Sequence, residues 1–277
     1  MGLELPEILN LAKEMETTLK GKTIKNITLS DRSASLIKQG MCNLDERKDE
    51  IIASKIKGVN TKGKWIFLEF DNGKLLLLGE IIGKFLYHKN QSEIPKKYHV
   101  LFDFDDGASL TFQSSLYAFL EVATKEELNE HKYAGNLGPS PDDDDEFSYR
   151  FFADLLSRYE KKAIKAVLNM QSEISGLGNG YINDILYEAK IHPKKKVSEL
   201  KDDEKKKLYD NTVKIVKSAI KGAGSSDEYD LFGKPGNYKR IMDKNSVGTK
   251  CKRCGAKIVK TNVLGSSAYT CPDCQKI

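Results

Sequence analysis

Residues 251–274 read CKRCGAKIVKTNVLGSSAYTCPDC and hold four of the five cysteines in the chain. Two Cys-x-x-Cys pairs flank sixteen residues, enough for two short strands with a turn near Gly265. Thiolates in two such pairs can surround Zn²⁺ tetrahedrally, and a redox-active pair is the alternative interpretation. The stretch predicts a β-hairpin whose core is replaced by one structural zinc ion with no open coordination position. The predicted ligands are Cys251, Cys254, Cys271 and Cys274.

The composition is that of an intracellular globular protein. The chain has 277 residues, of which 39% are hydrophobic and 31% charged, so it has room for one large domain or two ordinary ones. No apolar run approaches a membrane span, and the N-terminus MGLELPEILN lacks the basic start of a signal peptide. A reducing compartment favours metal ligation over disulfides for the clustered cysteines. The separate Cys42 is interpreted as a small buried apolar residue.

Two kinds of sequence pattern divide the chain near an acidic loop, DDDDE at 142–146. Before this loop, residues 6–21 have apolar residues at helical spacing, with a proline at the start and a glycine at the end. Residues 22–122 are rich in β-branched and aromatic side chains, with hairpin turns at Asp-Asn-Gly and Asp-Asp-Gly. After the loop the spacing is helical, until a polar segment leads to the zinc hairpin. The predicted fold class is therefore α+β, with a helix and β-sandwich first, a helical domain next and a β-hairpin zinc finger last.

The second half of the chain carries most of its basic character. The formal net charge is +5 and the pI about 8.7, both mild, but lysines cluster in segments such as IHPKKKV and DEKKKLYDNTVKIVKSAIKG. This distribution favours a polyanionic partner. The alternative is a set of solvated helix faces, which would fit any one of these segments.

The segment SEISGLGNGYINDILYEAKIHP (172–193) places three glycines around Asn179, just before a predicted helix. Glycines let backbone amides approach an anion, and a helix N-terminus adds its dipole. The side-chain amide of Asn179 could then donate to a phosphate. A turn between two helices that only needs small residues would explain the same glycines. The spacing alone leaves open whether this is a phosphate-binding turn or a purely structural one.

These segments together resemble the formamidopyrimidine-DNA glycosylase and endonuclease VIII family along the whole chain. ELPEI at 4–8 is similar to the family's N-terminal Glu-Leu-Pro-Glu, and KGKWIFLEF at 62–70 to its lysine-bearing strand. KKAIKAVLNMQ followed by ISGLGNGYINDILYEAKIHP resembles its helix–two-turn–helix motif. NLGPSPDDDDEF, FGKPGNY and CPDCQK are similar to its interdomain linker, its approach to the zinc finger and the end of that finger.

The resemblance and the patterns together predict four segments. They are a helix and β-sandwich domain of the catalytic type at 1–135, an acidic linker at 136–145, a helix–two-turn–helix DNA-binding domain at 146–235 and a zinc finger at 236–277.

The resemblance implies a base-excision DNA glycosylase whose partner is damaged duplex DNA. Family members clamp the duplex, bend it and flip out the damaged base. An N-terminal proline amine attacks C1′ of the sugar while a neighbouring Glu moves protons, and the resulting Schiff base allows strand cleavage. Carried over by position, the Glu is Glu4, the strand lysine that contacts the abasic-site phosphates is Lys64, and the phosphate-binding amide is Asn179.

The N-terminus departs from the family pattern. Leu3 stands where the resemblance implies the catalytic proline, and an amide nitrogen is no nucleophile. Removal of the initiator Met would free the amine of Gly2, a primary amine with an ordinary pKa of about 8, one residue away. The nucleophile could therefore be the Gly2 amine or Lys64. Alternatively, Glu4 could activate water in a glycosylase without strand cleavage, which leaves AP lyase activity open.

The residues expected to contact DNA also differ. Glu80 stands where the resemblance implies an apolar residue that enters the DNA, and it would repel phosphate. Leu116 and Tyr117 replace an arginine-containing loop, so they would form the wedge, with Tyr117 stacking on a base. Ser266 stands where an arginine would grip phosphates, and a hydroxyl gives no bidentate grip. The Gly- and Ser-rich segment 222–233 is expected to be a mobile loop that closes over the flipped base.

Three functions are compatible with these features. The first is a DNA glycosylase with altered lesion choice, and the second is a non-catalytic protein that binds damaged or distorted DNA. The third is a zinc protein whose clamp holds a protein partner. Retention of Glu4, Lys64, Asn179 and the four cysteines favours the glycosylase, whereas loss of the proline favours the binding protein. The expected protein is a cytoplasmic monomer, nucleoid-associated if bacterial, without membrane contacts.

Overall fold

The computed structural model describes residues 2–277 and divides the chain into two compact units. Unit 1 contains the chain up to Asn136 together with Ser226–Gly236, and unit 2 contains Leu137–Ser225 and Asn237–Ile277. Across the described part of the chain, no helix is long and apolar enough to cross a membrane.

Unit 1 has four α-helices and eight strands among its described residues. In chain order they are α1 (Leu5–Leu19), β1 (Ile24–Leu29), α2 (Ala34–Lys38), α3 (Leu44–Arg47), β2 (Ile56–Lys62), β3 (Trp65–Phe70), β4 (Leu75–Gly79), β5 (Gly83–His88), β6 (Val100–Phe104), β7 (Ser109–Ser114), β8 (Phe119–Ala123) and α4 (Lys125–Glu130).

The first helix has the buried face that the sequence pattern predicts, and its bounds, Leu5–Leu19, differ from the predicted 6–21 by one residue at the start and two at the end. The backbone N–H of Glu4, just before α1, donates to the Glu7 carboxylate at 3.0 Å, which satisfies an N–H group at the helix entrance. The apolar residues at helical spacing are buried. The chain leaves the helix through Gly21, whose φ of +85° is readily adopted only by glycine.

The eight strands form two antiparallel sheets of four strands each, in the orders β1-β6-β7-β5 and β2-β3-β4-β8. The predicted hairpin turns join β3 to β4 and β6 to β7, with Gly73 at φ +81° and Gly107 at φ +86°. Side chains from both sheets and from α1 form one buried apolar cluster, which includes Met15, Phe70 and Phe112. The predicted β-sandwich is therefore confirmed.

The segment between β1 and β2 was not predicted to be helical. It contains α2, α3 and two 3₁₀ turns, Asp31–Ser33 and Lys48–Glu50. Helices of four or five residues complete barely one turn, so they leave no periodic pattern to detect. Leu36 and Leu44 anchor this segment, because both are buried in the cluster of the sandwich.

Unit 2 contains the four predicted helices and the hairpin. These elements are α5 (Tyr149–Arg158), α6 (Ile164–Leu168), α7 (Asn179–Ala189), α8 (Asp202–Lys221), β9 (Val259–Val263) and β10 (Ser266–Thr270). Nearly every residue of α7 is buried, because this helix packs against both α8 and β10. The helical domain and the C-terminal β-hairpin of the predicted fold class are confirmed.

The segment Ser226–Gly236 packs into unit 1, although the predicted boundaries placed it with the helices. Leu231 is fully buried in the cluster of the sandwich. Its N–H donates to the Glu14 carboxylate at 2.9 Å, and its carbonyl accepts from Tyr87 N–H at 2.9 Å. Within the segment 222–233, which was expected to be a mobile loop, Leu231 is thus anchored to the sandwich by burial and by two hydrogen bonds.

Candidate active site and zinc-binding hairpin

The turn at 80–82, between β4 and β5, is the point around which several candidate residues of unit 1 gather. The N–H of Leu3 donates to the Ile81 carbonyl at 2.7 Å. The N–H of Ile82 donates to the Tyr117 carbonyl at 2.9 Å. The turn is thus hydrogen-bonded both to the N-terminal segment and to the loop between β7 and β8.

The N-terminal segment is closely packed against this turn. Leu3 is only 3% exposed and belongs to the apolar core. A Cβ placed on Gly2 would lie 3.0 Å from the Ile81 carbonyl oxygen and 3.1 Å from Ile82 Cγ1. A side chain at position 2 would therefore crowd this turn, and the neighbouring atoms would have to shift by a few tenths of an ångström. The hypothesis that this glycine supplies the amine depends on Met1, which lies outside the described residues.

Glu4 follows at the entrance of α1 and is only 4% exposed. Its carboxylate is shielded from bulk water, and the dipole of α1 favours a negative charge at this position. A carboxylate in such a place can exchange protons with a bound molecule without direct competition from solvent.

Lys64 precedes β3, and its ammonium is already engaged. Its Nζ lies 3.5 Å from Oε2 of Glu80, and the Lys64 side chain is only 12% exposed. Glu80 adopts a left-handed conformation with φ +46°. A Cβ at the preceding Gly79 would overlap the Trp65 ring, so the close packing of the strand end against this ring requires glycine at position 79. The sequence identified Glu80 as a repulsive charge but did not reveal this ion pair.

The two predicted wedge residues have different environments. Leu116 is 67% exposed on the loop between β7 and β8. Tyr117 is half-buried and packs against the core of the sandwich. Burial and the nearby charge of Glu80 raise the pKa of the Tyr117 hydroxyl. Leu116 is therefore the accessible member of the pair.

A cavity of about 340 Å³ lies beside the same turn. Its lining includes Ile82, Lys84, Gln113, Ser115, Asp227 and Glu228. One of the lining residues, Ile82, also packs against Gly2 of the N-terminal segment. Its volume and mixed polar lining are typical of sites for small ligands.

In unit 2, Asn179 is the first residue of α7. It follows a turn in which Gly176 has φ +89°. The Asn179 Oδ1 is buried and has no hydrogen-bond partner. Such an atom is uncommon in a folded protein, and a rotation of the amide would place the NH₂ donor there instead. The Asn179 side chain thus keeps one buried hydrogen-bonding atom unused at the N-terminus of a helix.

Lys165 on α6 is a residue that sequence reasoning missed. It is only 3% exposed, and its Nζ donates to the Ser267 carbonyl at 3.1 Å. Burial lowers the pKa of Lys165 to about 8. This contact fastens the hairpin to the helices. In the sequence the residue is hidden among surface lysines, and its apolar neighbours Ile164 and Val167 are the only signal.

The four clustered cysteines form the predicted zinc site. Their sulfur atoms all lie within 4.8 Å of one another, with Cys251 and Cys274 at 3.9 Å and Cys254 and Cys271 at 3.3 Å. A tetrahedral zinc ion with Zn–S bonds of about 2.3 Å requires S···S distances of about 3.8 Å. The arrangement fits one structural zinc ion per chain.

The zinc site is fastened to the C-terminal end of α7. The Tyr187 hydroxyl lies 3.3 Å from Cys251 Sγ. The Arg253 guanidinium stacks 4.2 Å from the centre of the Tyr187 ring and pairs with Glu188 at 2.6 Å. Gln275 donates to the backbone just after α7 at 2.9 Å. The metal therefore stabilises the contact between hairpin and helix as well as the hairpin itself.

Asp184, also on α7, fixes the segment that leads to the finger. It is fully buried and accepts from the Tyr238 hydroxyl at 2.9 Å and from Met242 N–H at 2.7 Å. Burial raises the pKa of its carboxyl to about 6. Sequence reasoning missed this role, although an acid directly before Ile185 and Leu186 in this helix is a signal for it.

Ser266, the predicted phosphate contact, begins β10. Its hydroxyl donates to the Val263 carbonyl at 3.2 Å, within the hairpin. The exposed side chain at the tip is instead Leu264, which is 66% exposed.

Three protein-family models match the chain in succession. They are the formamidopyrimidine-DNA glycosylase N-terminal domain over residues 3–115, the formamidopyrimidine-DNA glycosylase H2TH domain over 137–230, and the zinc finger found in FPG and IleRS over 248–277.

Relatives match over their full length. A formamidopyrimidine-DNA glycosylase of Bacillus cereus is 30% identical over 277 residues, covering 98% of each chain. That of Lactococcus lactis subsp. cremoris is 29% identical over 276 residues, covering 99% of each. The solved complex of Lactococcus lactis Fpg with DNA containing an abasic site has a TM-score of 0.86 at 27% identity, covering 99% of this chain and 100% of that one. The resemblance noted in the sequence is confirmed: the chain belongs to the formamidopyrimidine-DNA glycosylase family.

Proposed function

We propose that this chain is a base-excision DNA glycosylase that flips a damaged base out of duplex DNA and cleaves its N-glycosidic bond. The observation that carries the proposal is the placement of Glu4. This buried carboxylate stands two residues from Gly2, and Gly2 packs against Ile82, one of the residues that line the cavity. Relatives of matching length are named as glycosylases, so the alternative of a non-catalytic DNA-binding protein is not favoured.

The cavity beside the turn at 80–82 would receive the flipped base. Its polar lining offers a lysine, an amide and two carboxylates, Asp227 and Glu228. These groups can accept hydrogen bonds from the amino or ring N–H groups of a base and donate to its carbonyls. Base extrusion costs a few kcal/mol, least where damage has weakened pairing. The cavity would therefore select among bases that already leave the stack easily.

In the first mechanism the nucleophile is the amine of Gly2, exposed by removal of Met1. The amine nitrogen forms a bond to C1′, and the C1′–N bond breaks with its electron pair going to the departing base. The base takes up a proton delivered by Glu4. The ring C1′–O4′ bond then opens to give a Schiff base, which permits strand cleavage by elimination.

In the second mechanism Glu4 accepts a proton from water, and the water oxygen forms the new bond to C1′. The base again leaves with the bonding electrons, and no covalent complex or strand break follows. Lys64 is the weaker amine candidate, because an ammonium paired with Glu80 at 3.5 Å has no free lone pair to attack carbon. We assign Lys64 to phosphate binding instead.

The remaining candidates contribute to DNA binding in this proposal. The amide of Asn179 donates to a phosphate at the start of α7, and exposed Leu116 enters the helix beside the extruded base. Half-buried Tyr117 supports Leu116 and offers a ring edge to a neighbouring base. Ser266 adds a weak polar contact. The enzyme acts as a monomer on damaged duplex DNA, in the cytoplasm or on the nucleoid of a bacterium.

A panel of duplexes, each with one defined lesion, tests the proposal. The panel holds an oxidised purine, a ring-opened purine, an oxidised pyrimidine, an alkylated base and an undamaged control. Base release and strand nicking are scored separately, since only the amine route predicts both. Release of at least one damaged base is expected, and release of none across the panel would contradict the assignment.

Two matched measurements then separate the mechanisms. Borohydride should trap a covalent protein–DNA complex if an amine attacks C1′, and mass spectrometry of the purified protein shows whether the chain starts at Gly2. A retained Met1 together with base release and no trapped complex would identify the water route. A trapped complex that survives Lys64→Ala would exclude the lysine as the nucleophile.

A further inference from the structure

The cavity beside the turn at 80–82 has two walls that differ in charge. One wall comes from β5, β7 and the residues that follow β7, and it contributes Lys84, Gln113 and Ser115. The other wall is the segment 227–229, which contributes two carboxylates and a phenol ring. Among the described residues that line the cavity, acidic side chains therefore outnumber basic ones by two to one.

This charge makes the cavity a poor place for an ordinary flipped nucleotide. Carboxylates repel the phosphates on either side of the flipped base. Removing a carboxylate from water also costs free energy, and an N–H group of a neutral base offsets only part of that cost. A base that itself carries a positive charge offsets both effects, because it attracts the carboxylates directly.

The acidic wall is held in place by the residues that follow it. Glu228 is buried, with only 8% of its surface exposed. Leu231 anchors the segment in the core of the sandwich. Between them, Asp230 accepts from the N–H of Lys234 at 2.7 Å, and its own N–H donates to the Lys234 carbonyl at 2.8 Å. The carboxylates are therefore positioned before any ligand binds, which lowers the entropy cost of binding.

The phenol ring of Tyr229 adds a second group that attracts cations. The Lys84 Nζ lies 5.6 Å from the centre of this ring, so the ring already interacts with one cation in the free protein. Tyr229 is still 50% exposed, which leaves ring surface for a ligand. A flat, positively charged heterocycle can stack on such a ring and gain from both stacking and charge.

A positive charge on the base also simplifies the chemistry at C1′. A purine alkylated at N7 or N3 is a cation, and it leaves as a neutral molecule when the C1′–N9 bond breaks with its electron pair going to the base. The leaving base then needs no proton. The oxygen of a water molecule forms the new bond to C1′, Glu4 accepts the water proton, and the proton passes on to solvent. No amine is required, which suits a chain with Leu3 in place of the proline.

We propose that the substrates of this cavity are purines that carry a positive charge after alkylation of a ring nitrogen, and that Asp227 and Glu228 select them by charge. This inference rests on the proposed function, since it names the substrate class of the same cavity. Asp227 and Glu228 bind the cationic base, Tyr229 stacks on it, and Glu4 activates the water that replaces it.

Two duplexes that differ only in the charge of one base test the selection. One carries 7-methylguanine and the other 7-deaza-7-methylguanine, which has the same shape and no charge. A fluorine at C2′ of the sugar keeps the glycosidic bond of both intact during the titration. The protein should bind the charged base about tenfold more tightly, which corresponds to about 1.4 kcal/mol. Equal affinity for the two duplexes would overturn the inference.

Variants of the cavity should change this ratio of affinities in opposite directions. Asp227→Asn and Glu228→Gln should each reduce it to about threefold or less, whereas Lys84→Gln should increase it. Both affinities are measured on the same variant, so a partial loss of folded protein cancels in the ratio. Glu46→Gln is the matched control, because Glu46 is an exposed acid of α3 outside the cavity lining. A ratio that Asp227→Asn and Glu228→Gln leave unchanged, or that Glu46→Gln lowers equally, would refute the role of the two carboxylates.

Base release then separates this inference from the proposed function. With unmodified sugars, 7-methylguanine should be released faster than in duplex without protein, and without strand nicking or a complex trapped by borohydride. Release of an oxidised or ring-opened purine but not of 7-methylguanine would overturn the inference and leave the glycosylase assignment intact. A trapped complex on the 7-methylguanine duplex would also contradict it, since the water route forms none. Release of no base at all would contradict the glycosylase assignment itself.

Discussion

The Nζ of Lys64 lies 3.5 Å from Oε2 of Glu80, in an ion pair whose lysine side chain is 12% exposed and whose glutamate is 26% exposed. The lysine that we assign to phosphate binding is thus already partnered by an acid in the absence of DNA. A phosphate that approaches Lys64 must compete with this carboxylate. We therefore expect Glu80 to weaken binding to every duplex, damaged or not.

Glu80→Gln should tighten DNA binding, because it removes a negative charge beside the proposed phosphate site while keeping the shape of the side chain. We expect an increase of about three- to tenfold at low salt that shrinks as salt is raised. Fluorescence anisotropy with damaged and undamaged duplexes at two salt concentrations measures the effect. Lys64→Ala should abolish the gain in the double variant, and a gain that persists there would show that the two residues act independently.

Glu4→Gln should reduce base release by roughly 100-fold or more, because it keeps the shape of the buried group but removes its ability to move protons. Single-turnover base release on the best substrate of the panel is the measurement. DNA affinity and the circular dichroism spectrum should match those of the wild type. A variant with nearly unchanged release would transfer the proton role to another group.

Asn179→Ala should affect binding and stability in different ways. Loss of the amide should weaken binding to damaged duplex by about 1–3 kcal/mol. The free energy of unfolding should stay unchanged or rise slightly, since the Asn179 Oδ1 is buried without a partner in the free protein. Titration with DNA measures the affinity for damaged duplex, and urea unfolding measures the free energy of unfolding. A loss of stability with unchanged binding would favour the interpretation of this turn as purely structural.

Zinc removal should disorder the hairpin and leave the sandwich intact. Metal analysis of protein purified without chelator should give one zinc per chain. After chelation, proteolysis should cut within 248–277, while fluorescence of the single tryptophan, Trp65, should not change because it is buried in unit 1. Cys254→Ser should behave in the same way. A metal-free protein with a protease-resistant hairpin would contradict the structural role of the ion.

Lys165 predicts a specific dependence of stability on pH. Burial lowers its pKa from 10.5 to about 8, so between these values the unfolded chain binds more protons than the folded one. The free energy of unfolding of unit 2 should therefore rise with pH across this window, by at most about 3 kcal/mol from this group. Lys165→Met should lack this rise. Urea unfolding of both proteins at pH 7.5 and pH 10 measures this rise. An equal change in the free energy of unfolding in the wild type and in Lys165→Met would contradict the role given to Lys165.

Much of the fold was predictable because its signals are local. The helical spacing before Gly21, the Asn-Gly turn at Gly73 and the paired cysteines each report on a few neighbouring residues. The short helices near Leu36 and Leu44 were not predicted, because a single helical turn shows no repeating pattern of apolar residues. The burial of Leu231 was not predicted for another reason. Its partners Glu14 and Tyr87 are far away in the sequence.

The candidate site residues come from the resemblance, whereas their contacts come only from the structure. Comparison with the family pattern, position by position, singles out Glu4, Lys64 and Asn179. The ion pair between Lys64 and Glu80 forms where Glu80 takes a left-handed conformation, directly after Gly79, at which the Trp65 ring leaves no room for a Cβ. Such an arrangement cannot be derived from any local window of the sequence.

The burial of Leu231 in the sandwich has a consequence for biosynthesis. The first 136 residues emerge from the ribosome long before the segment that completes their core is synthesised. During that interval the nascent sandwich has a gap where Leu231 will sit, and the Glu14 carboxylate lacks its backbone donor. The helices α5 to α8 are all synthesised within the same interval. The first domain to appear is therefore completed only after the helical domain that follows it in the chain has been made.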